Sequence, residues 1–303
     1  VIGAGAFDQR DRPRQRAAIP GENPLGQVVL GVVLAHETVN LPGVVSATLF
    51  ALPGAGMSSP GVGMEGPVPR LARLALLLTL GLAVPASALE ARFEVRYGIL
   101  HVADVTVSAS EDAQSYAAEG HVVTAGLVGL LRSVHLDLSV QGRRQGETLD
   151  PQHYRGDVDT GRRQIQSELA YTDGVPRILA LAPPEPAQPW DIDAADQGGT
   201  LDPMSALYYL LRPRPEVPCG QVLELFDGRR HSRLRVDAAH VSGNDAQCSG
   251  AYIRVGGYSA TELQDYQALA FSLDYRRDAG GDWQLTRIVT HTPYGRMRVL
   301  RQF

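Results

Sequence analysis

Tyr208, Tyr209 and Arg212 fall within one short run, Met204-Ser-Ala-Leu-Tyr208-Tyr-Leu-Leu-Arg212, with Trp190 upstream of it. Aromatic rings beside one cation can line a ligand cavity: the rings take apolar surface and Arg212 takes a polar head group. The same residues can equally plug a helix against a sheet, and for these side chains that is the favoured reading. Tyr154, after Pro151-Gln-His153, is either a further ligand contact or a strand aromatic packed on its neighbour. The candidate ligand-binding set is therefore Tyr154, Trp190, Tyr208, Tyr209 and Arg212.

Catalytic constellations are harder to assemble. Gly257-Tyr-Ser259-Ala-Thr261 lacks the final Gly of a nucleophile elbow and reads as a loop. The histidines at 101, 121, 135, 153, 231, 240 and 291 form no H-x-x-x-H or H-E-x-x-H pair. His135 and Asp137 could share a strand face, but two ligands do not make a metal site. Asp191, Asp193 and Asp202 match positions 1, 3 and 12 of a calcium loop. Ala195 and Asp196 stand where a ligand and the turn glycine are needed, so a solvated loop ending in a helix cap is expected. The opening Val1-Ile-Gly-Ala-Gly-Ala-Phe7 lacks the third glycine and the following helix of a dinucleotide fingerprint. No cofactor, no metal and no enzymatic activity are expected.

The only cysteines are Cys219 and Cys248. In an oxidising compartment two lone thiols pair, so a disulfide is expected; a redox pair would more typically read C-x-x-C.

That compartment is indicated by residues 64–88. Arg70 and Arg73 precede the apolar run Leu74–Val84, Pro85 breaks it, and Ala86-Ser-Ala88 supplies small residues. This is the order of a secretory signal, and the run is too short for a membrane span. Cleavage after Ala88 and a periplasmic location are expected, with no stable membrane insertion afterwards. No Cys follows the run to carry a lipid. Residues 1–63, rich in Gly, Pro, Val and Ala without sustained periodicity, are expected to lie upstream of the true start at Met64 or Met57.

The elements that must position the candidate residues lie in 89–303, which is of single-domain size. This part holds 22 Arg and 28 acidic residues, a net charge of −6. Such a surface gives no reason to expect nucleic acid or anionic lipid surfaces as partners. Every basic residue is Arg, which reads as genomic composition.

Period-2 alternation dominates, as in Phe93-Glu-Val95-Arg-Tyr97, Leu136-Asp-Leu138-Ser-Val140 and Ala268-Leu-Ala-Phe-Ser-Leu-Asp-Tyr275. Asp173-Gly174 and Asp227-Gly228 are turn pairs. Leu127, Leu130, Leu131 and Val134 suggest a short helix near 126–136. Pro183–Pro189 reads as an extended connector. Asp202-Pro203 opens a helix, Asp as cap and Pro in the first turn, and Arg212-Pro213 ends it. About a dozen strands and one clear helix predict a mostly β fold: an antiparallel meander curved into an open half-barrel or barrel, with one or two short helices on it.

Pro151-Gln-His-Tyr154, Asp202-Pro-Met-Ser205, Tyr208-Tyr-Leu-Leu-Arg212, Cys219-Gly220, Asp227-Gly-Arg229 and Thr292-Pro293 resemble an exported bacterial family, domain of unknown function 3108 (DUF3108). The resemblance spans about Phe93 to Leu300. It implies an exported β-rich domain and carries over no activity. By fold analogy the chain is similar to the half-barrels of periplasmic lipoprotein carriers.

The leading expectation is a non-enzymatic carrier that buries an apolar or lipid-like ligand in the sheet concavity, with the helix as lid. An envelope adaptor binding another protein through a free sheet edge is the alternative. A hydrolase without a recognisable motif comes third.

Overall fold

The computed structural model describes residues 87–126, 134–159, 164–292 and 295–303. The extension at 1–63, nearly all of the signal-like segment and most of the helix expected near 126–136 lie outside the described residues.

The described chain forms fourteen strands and two α-helices. The first seven strands are β1 (Ser87–Tyr97), β2 (Leu100–Glu111), β3 (Ser115–Thr124), β4 (His135–Gln145), β5 (Thr148–Asp159), β6 (Gln164–Thr172) and β7 (Val175–Ala182). Helix α1 (Pro203–Leu211) follows. Then come β8 (Gln221–Phe226), β9 (His231–Val236), β10 (His240–Ser242) and β11 (Asp245–Gly256). Helix α2 (Ala260–Asp265), β12 (Ala268–Arg277), β13 (Trp283–Thr292) and β14 (Gly295–Gln302) complete the chain.

Alternation sets the inner face. In β1 Leu89, Ala91, Phe93 and Val95 are buried while Glu90 and Arg92 are exposed. Leu136, Leu138 and Val140 of β4 and Leu269, Phe271, Leu273 and Tyr275 of β12 join the same core. Burying each such side chain stabilises by about 1.5–3 kcal/mol.

All strands lie in one antiparallel sheet, in the order β7-β6-β5-β4-β3-β2-β1-β14-β13-β12-β11-β9-β8, with β10 beside β11. The two ends of the described chain meet where Val95 of β1 faces Val299 of β14. Register shifts interrupt five pairings, after Val95, Gln141, Glu168, Arg254 and Asp274. Bulges of this kind bend strands, and the sheet curls on itself.

The outer strands β7 and β8 are not paired to each other, yet the chain joins their ends. Gly199 N–H donates to Gly174 O (2.9 Å) and Leu201 N–H to Glu224 O (2.8 Å). On the far side Arg229 Nη2 donates to Pro183 O (2.8 Å). Gly228 lies so close to β6 and β7 that a Cβ there would stand 3.0 Å from Leu181 Cδ2, and its φ is +104°. Both facts call for glycine in this turn.

Three elements differ from the sequence reading. β5 runs back through Pro151, which sits beside the bulge at Gln141/Gly142, a place where a strand tolerates proline. β11 begins at Asp245, well before the Ala251 that alternation marked. Helix α2 replaces the loop expected after Gly257: Ser259 and Glu262 cap each other's backbone N–H groups. The S-x-x-E spacing was the available signal.

Candidate functional site

Helix α1 forms where Asp202 caps it. The Asp202 Oδ1 accepts the Ser205 N–H at 2.9 Å, and Pro203 sits at the first position, where no N–H is needed. Met204, Ser205, Ala206, Tyr208, Leu210 and Leu211 are all buried. A helix apolar all round belongs inside, and α1 packs against β3, β4, β5, β8 and β13. It therefore occupies the sheet concavity. The expectation of an open interior with the helix as a lid does not hold: Met204, fully buried, reaches across to Gly120 of β3.

Around the first turn of α1 lies a buried polar chain. Ser205 Oγ donates to Asp202 Oδ2 and is 2.7 Å from the Tyr116 hydroxyl. Burial raises the Asp202 carboxyl to about 6 despite its hydrogen bonds from Ser205. Tyr116, Tyr154 and Tyr171 stand near the same carboxylate; burial, then the Asp202 charge, pushes each phenol upward. A serine beside a carboxylate has the ingredients of a nucleophile, but here both are sealed from solvent. The chain fixes α1 to β3.

The other end of α1 is charged. Tyr208 stacks on Tyr116 at 5.3 Å and donates its hydroxyl to Glu111, at the end of β2. Arg212 Nη1 donates to Glu111 Oε2 at 3.2 Å, and its Nη2 donates to Glu147 in the β4–β5 turn. Arg214 Nη1 reaches the same Glu147 oxygen at 2.8 Å, and its guanidinium lies 4.4 Å over the Tyr209 ring. Arg144 Nε stands 3.4 Å from Glu111. Burial works against the Glu147 charge, but the hydrogen bond and charge of Arg212, then Arg214 and Arg144, hold its carboxyl below the usual range. Burial, then Arg212, lowers Arg214.

Of the five sequence-predicted contacts, the structure brings Tyr208, Tyr209 and Arg212 to this end. Tyr154 is buried deeper, on β5. Trp190 is 40 % exposed on the β7–α1 connection and outside the core. Arg212 already has both Glu111 and Glu147 as partners. His135 and Asp137 do not pair with each other: Asp137 is 2.6 Å from His121, across the β3–β4 ladder. Glu111, Arg144 and Glu147 come from β2, β4 and the β4–β5 turn, distant in the chain from Arg212, and Arg214 follows Pro213 beyond the helix, so no local pattern singled them out. Among the described residues no three His, Cys, Asp or Glu side chains converge as a metal site.

A second buried charge cluster underlies α2. Arg230 Nη1 lies 2.7 Å from Glu262 Oε1, and Arg254 sits 3.9 Å over the Tyr266 ring. The Ser232 hydroxyl is 2.6 Å from both Tyr252 and Tyr258. These groups pin α2 and the β8–β9 turn to the sheet. Cys219 and Cys248 form the expected disulfide.

A solvent-open groove of about 540 Å³ lies between β7 and residues 192–195. Val175, Pro176, Ile178, Ile192, Ala194 and Ala195 make its apolar lining, with Arg177 and Asp193 beside them.

The family model of protein of unknown function DUF3108 matches residues 92–242. The chain belongs to this family. The match covers α1, its charged end and Cys219, and stops before Cys248 and the Thr292-Pro293 motif. No curated protein sequence matches the chain. Among solved structures, a β-barrel-like protein of domain of unknown function DUF1849 from Brucella abortus is similar at 11 % identity and a TM-score of 0.39. That alignment covers 72 % of this chain and 95 % of the other.

Proposed function

We propose that this chain is an exported, non-enzymatic binding protein that takes an apolar, lipid-like ligand in the groove between β7 and residues 192–195. The observation behind this reading is the groove at β7, apolar in lining and of small-ligand size. The exposed Arg177 beside it has no ion-pair partner among the described residues and suits a ligand with an acidic end. The interior is occupied by α1, so burial of an acyl chain in the concavity is set aside. The signal-like segment and the Cys219–Cys248 bond support export.

The adaptor alternative relies on a free sheet edge. Pro176 removes one donor from β7, residues 194–196 pack against that strand, and β8 pairs with Leu201. The groove is therefore favoured over the edge.

Trp190 provides the test, because it stands two residues from Ile192 while Trp283 is buried in the core. Protein recovered from the periplasm, beginning at Leu89, is titrated with a long-chain fatty acid. A saturable change in Trp190 emission, lost in Val175→Asp, is expected. An unchanged spectrum at saturating ligand, or a response that survives Val175→Asp, overturns the reading.

A further inference from the structure

At the end of α1 two arginines share one carboxylate that does not come from the interior. The Arg212 and Arg214 side chains are 6 % and 5 % exposed, while Glu147 is 62 % exposed. Glu147 enters from the two-residue turn between β4 and β5, beside Gly146, whose φ is +61°. A single oxygen, Oε2, receives both Arg212 Nη2 and Arg214 Nη1. The two guanidiniums are otherwise fixed by the protein. Arg212 is held by Glu111, and Arg214 by the Tyr209 carbonyl and ring. Arg144 adds a third cation beside Glu111, with the Asp112 carboxylate near it.

We infer that Arg212 and Arg214 form a preorganised oxyanion site that Glu147 fills as a tethered stand-in, and that a phosphate group from outside exchanges with it. Guanidinium forks match carboxylate and phosphate alike, so the cradle that holds Glu147 also fits a phosphate oxygen. Exchange is easy to picture on the Glu147 side. Its carboxylate leaves toward solvent by rotation of an exposed side chain, without moving α1 or breaking the Glu111 contacts. A phosphate dianion offers more oxygens and one more negative charge than Glu147 to the two guanidiniums. This site is separate from the groove at β7 and uses none of its residues.

The test uses the full folded chain and two readouts. Inorganic phosphate is titrated by calorimetry into wild-type protein and Glu147→Gln at constant ionic strength, balanced with sodium chloride. The amide removes the competing charge and keeps the shape. The expected result is phosphate binding about tenfold or more tighter in Glu147→Gln. In wild-type protein, phosphate is expected to shift the guanidinium NMR signals of Arg212 and Arg214 and leave the buried Arg254 unmoved. The wild-type readout stands even if the variant does not fold. Equal affinity in both proteins overturns the inference, as do shifts confined to arginines elsewhere or reproduced by chloride alone. A phosphorylated short-chain lipid run in parallel distinguishes the source: tighter binding than phosphate points to a head group, equal binding to the free ion. Failure of the Trp190 titration leaves these signals untouched, so the two readings fail separately.

Discussion

Asp202 is the side chain most at odds with its surroundings. It caps α1, yet it is sealed among Tyr116, Tyr154, Tyr171 and Ser205. Burial raises its carboxyl from 3.8 to about 6, so the folded chain holds a proton that the unfolded chain has released. Its stabilising contribution is complete below about pH 4 and is lost as pH rises through about 6. The neighbouring phenols are pushed upward and do not titrate in that window. Relative to Asp202→Asn, wild-type protein is expected to lose up to ~3 kcal/mol between pH 4 and pH 7 in urea unfolding. A difference that stays flat with pH would show that water reaches this carboxylate. Gly142 makes the second residue-scale prediction. A Cβ there would stand 2.6 Å from the Tyr116 ring and 2.6 Å from Asp150 O. Gly142→Ala must push that ring off Tyr208 and Ser205, at a cost of about 1–3 kcal/mol. Thermal unfolding of the variant measures it; an unchanged midpoint contradicts the close approach.

At the scale of elements, α1 decides what the barrel can do. Asp202 and Pro203 start it, Pro213 prevents its continuation, and apolar residues on every side commit it to the interior. The concavity that could have held an acyl chain holds Met204, Leu210 and Leu211 instead. Candidate binding surface is displaced to the groove beside β7 and to the charged end of α1. The disulfide acts on the return half of the sheet. Cys219 precedes β8, Cys248 lies in β11, and 29 positions separate them. Closing a loop of that length stabilises by about 3–4 kcal/mol on the chain-entropy account. The double variant Cys219→Ser/Cys248→Ser is expected to lose that amount in denaturant titration. A loss below ~1 kcal/mol would mean that β8, β9 and β11 already restrict the unfolded chain.

At the scale of the whole molecule, closure depends on loops. The sheet begins at β7 and ends at β8, and these strands are linked through residues 199–201 and the Asp227–Arg230 turn rather than by a shared ladder. Such closure shields both edges, while β7 keeps apolar side chains in solvent. Val175 and Leu179 are exposed there. Two buried charge clusters fasten the helices to this sheet. One ties α1 to the β2 and β4–β5 ends, and the other ties α2 to the β8–β9 turn.

The β class, the inner face of most strands, the cap of α1 and the pairing of two cysteines could be read directly from the chain. Each rests on short-range rules: side chains alternate every two residues, an Asp-Pro pair has few conformations, and two lone thiols have one partner apiece. Alternation crossed by proline or carried by small side chains is a weak signal, which is why β5 across Pro151 and the first half of β11 around Cys248 are not evident in the chain. The tertiary structure decided between plug and lid for α1, and it alone showed that Arg212 is bound. Glu111 and Glu147 lie 101 and 65 positions from Arg212. Sheet register brings them together, and no local pattern encodes a register that far away. The sequence identified a cation worth attention. The fold determined which carboxylate holds it.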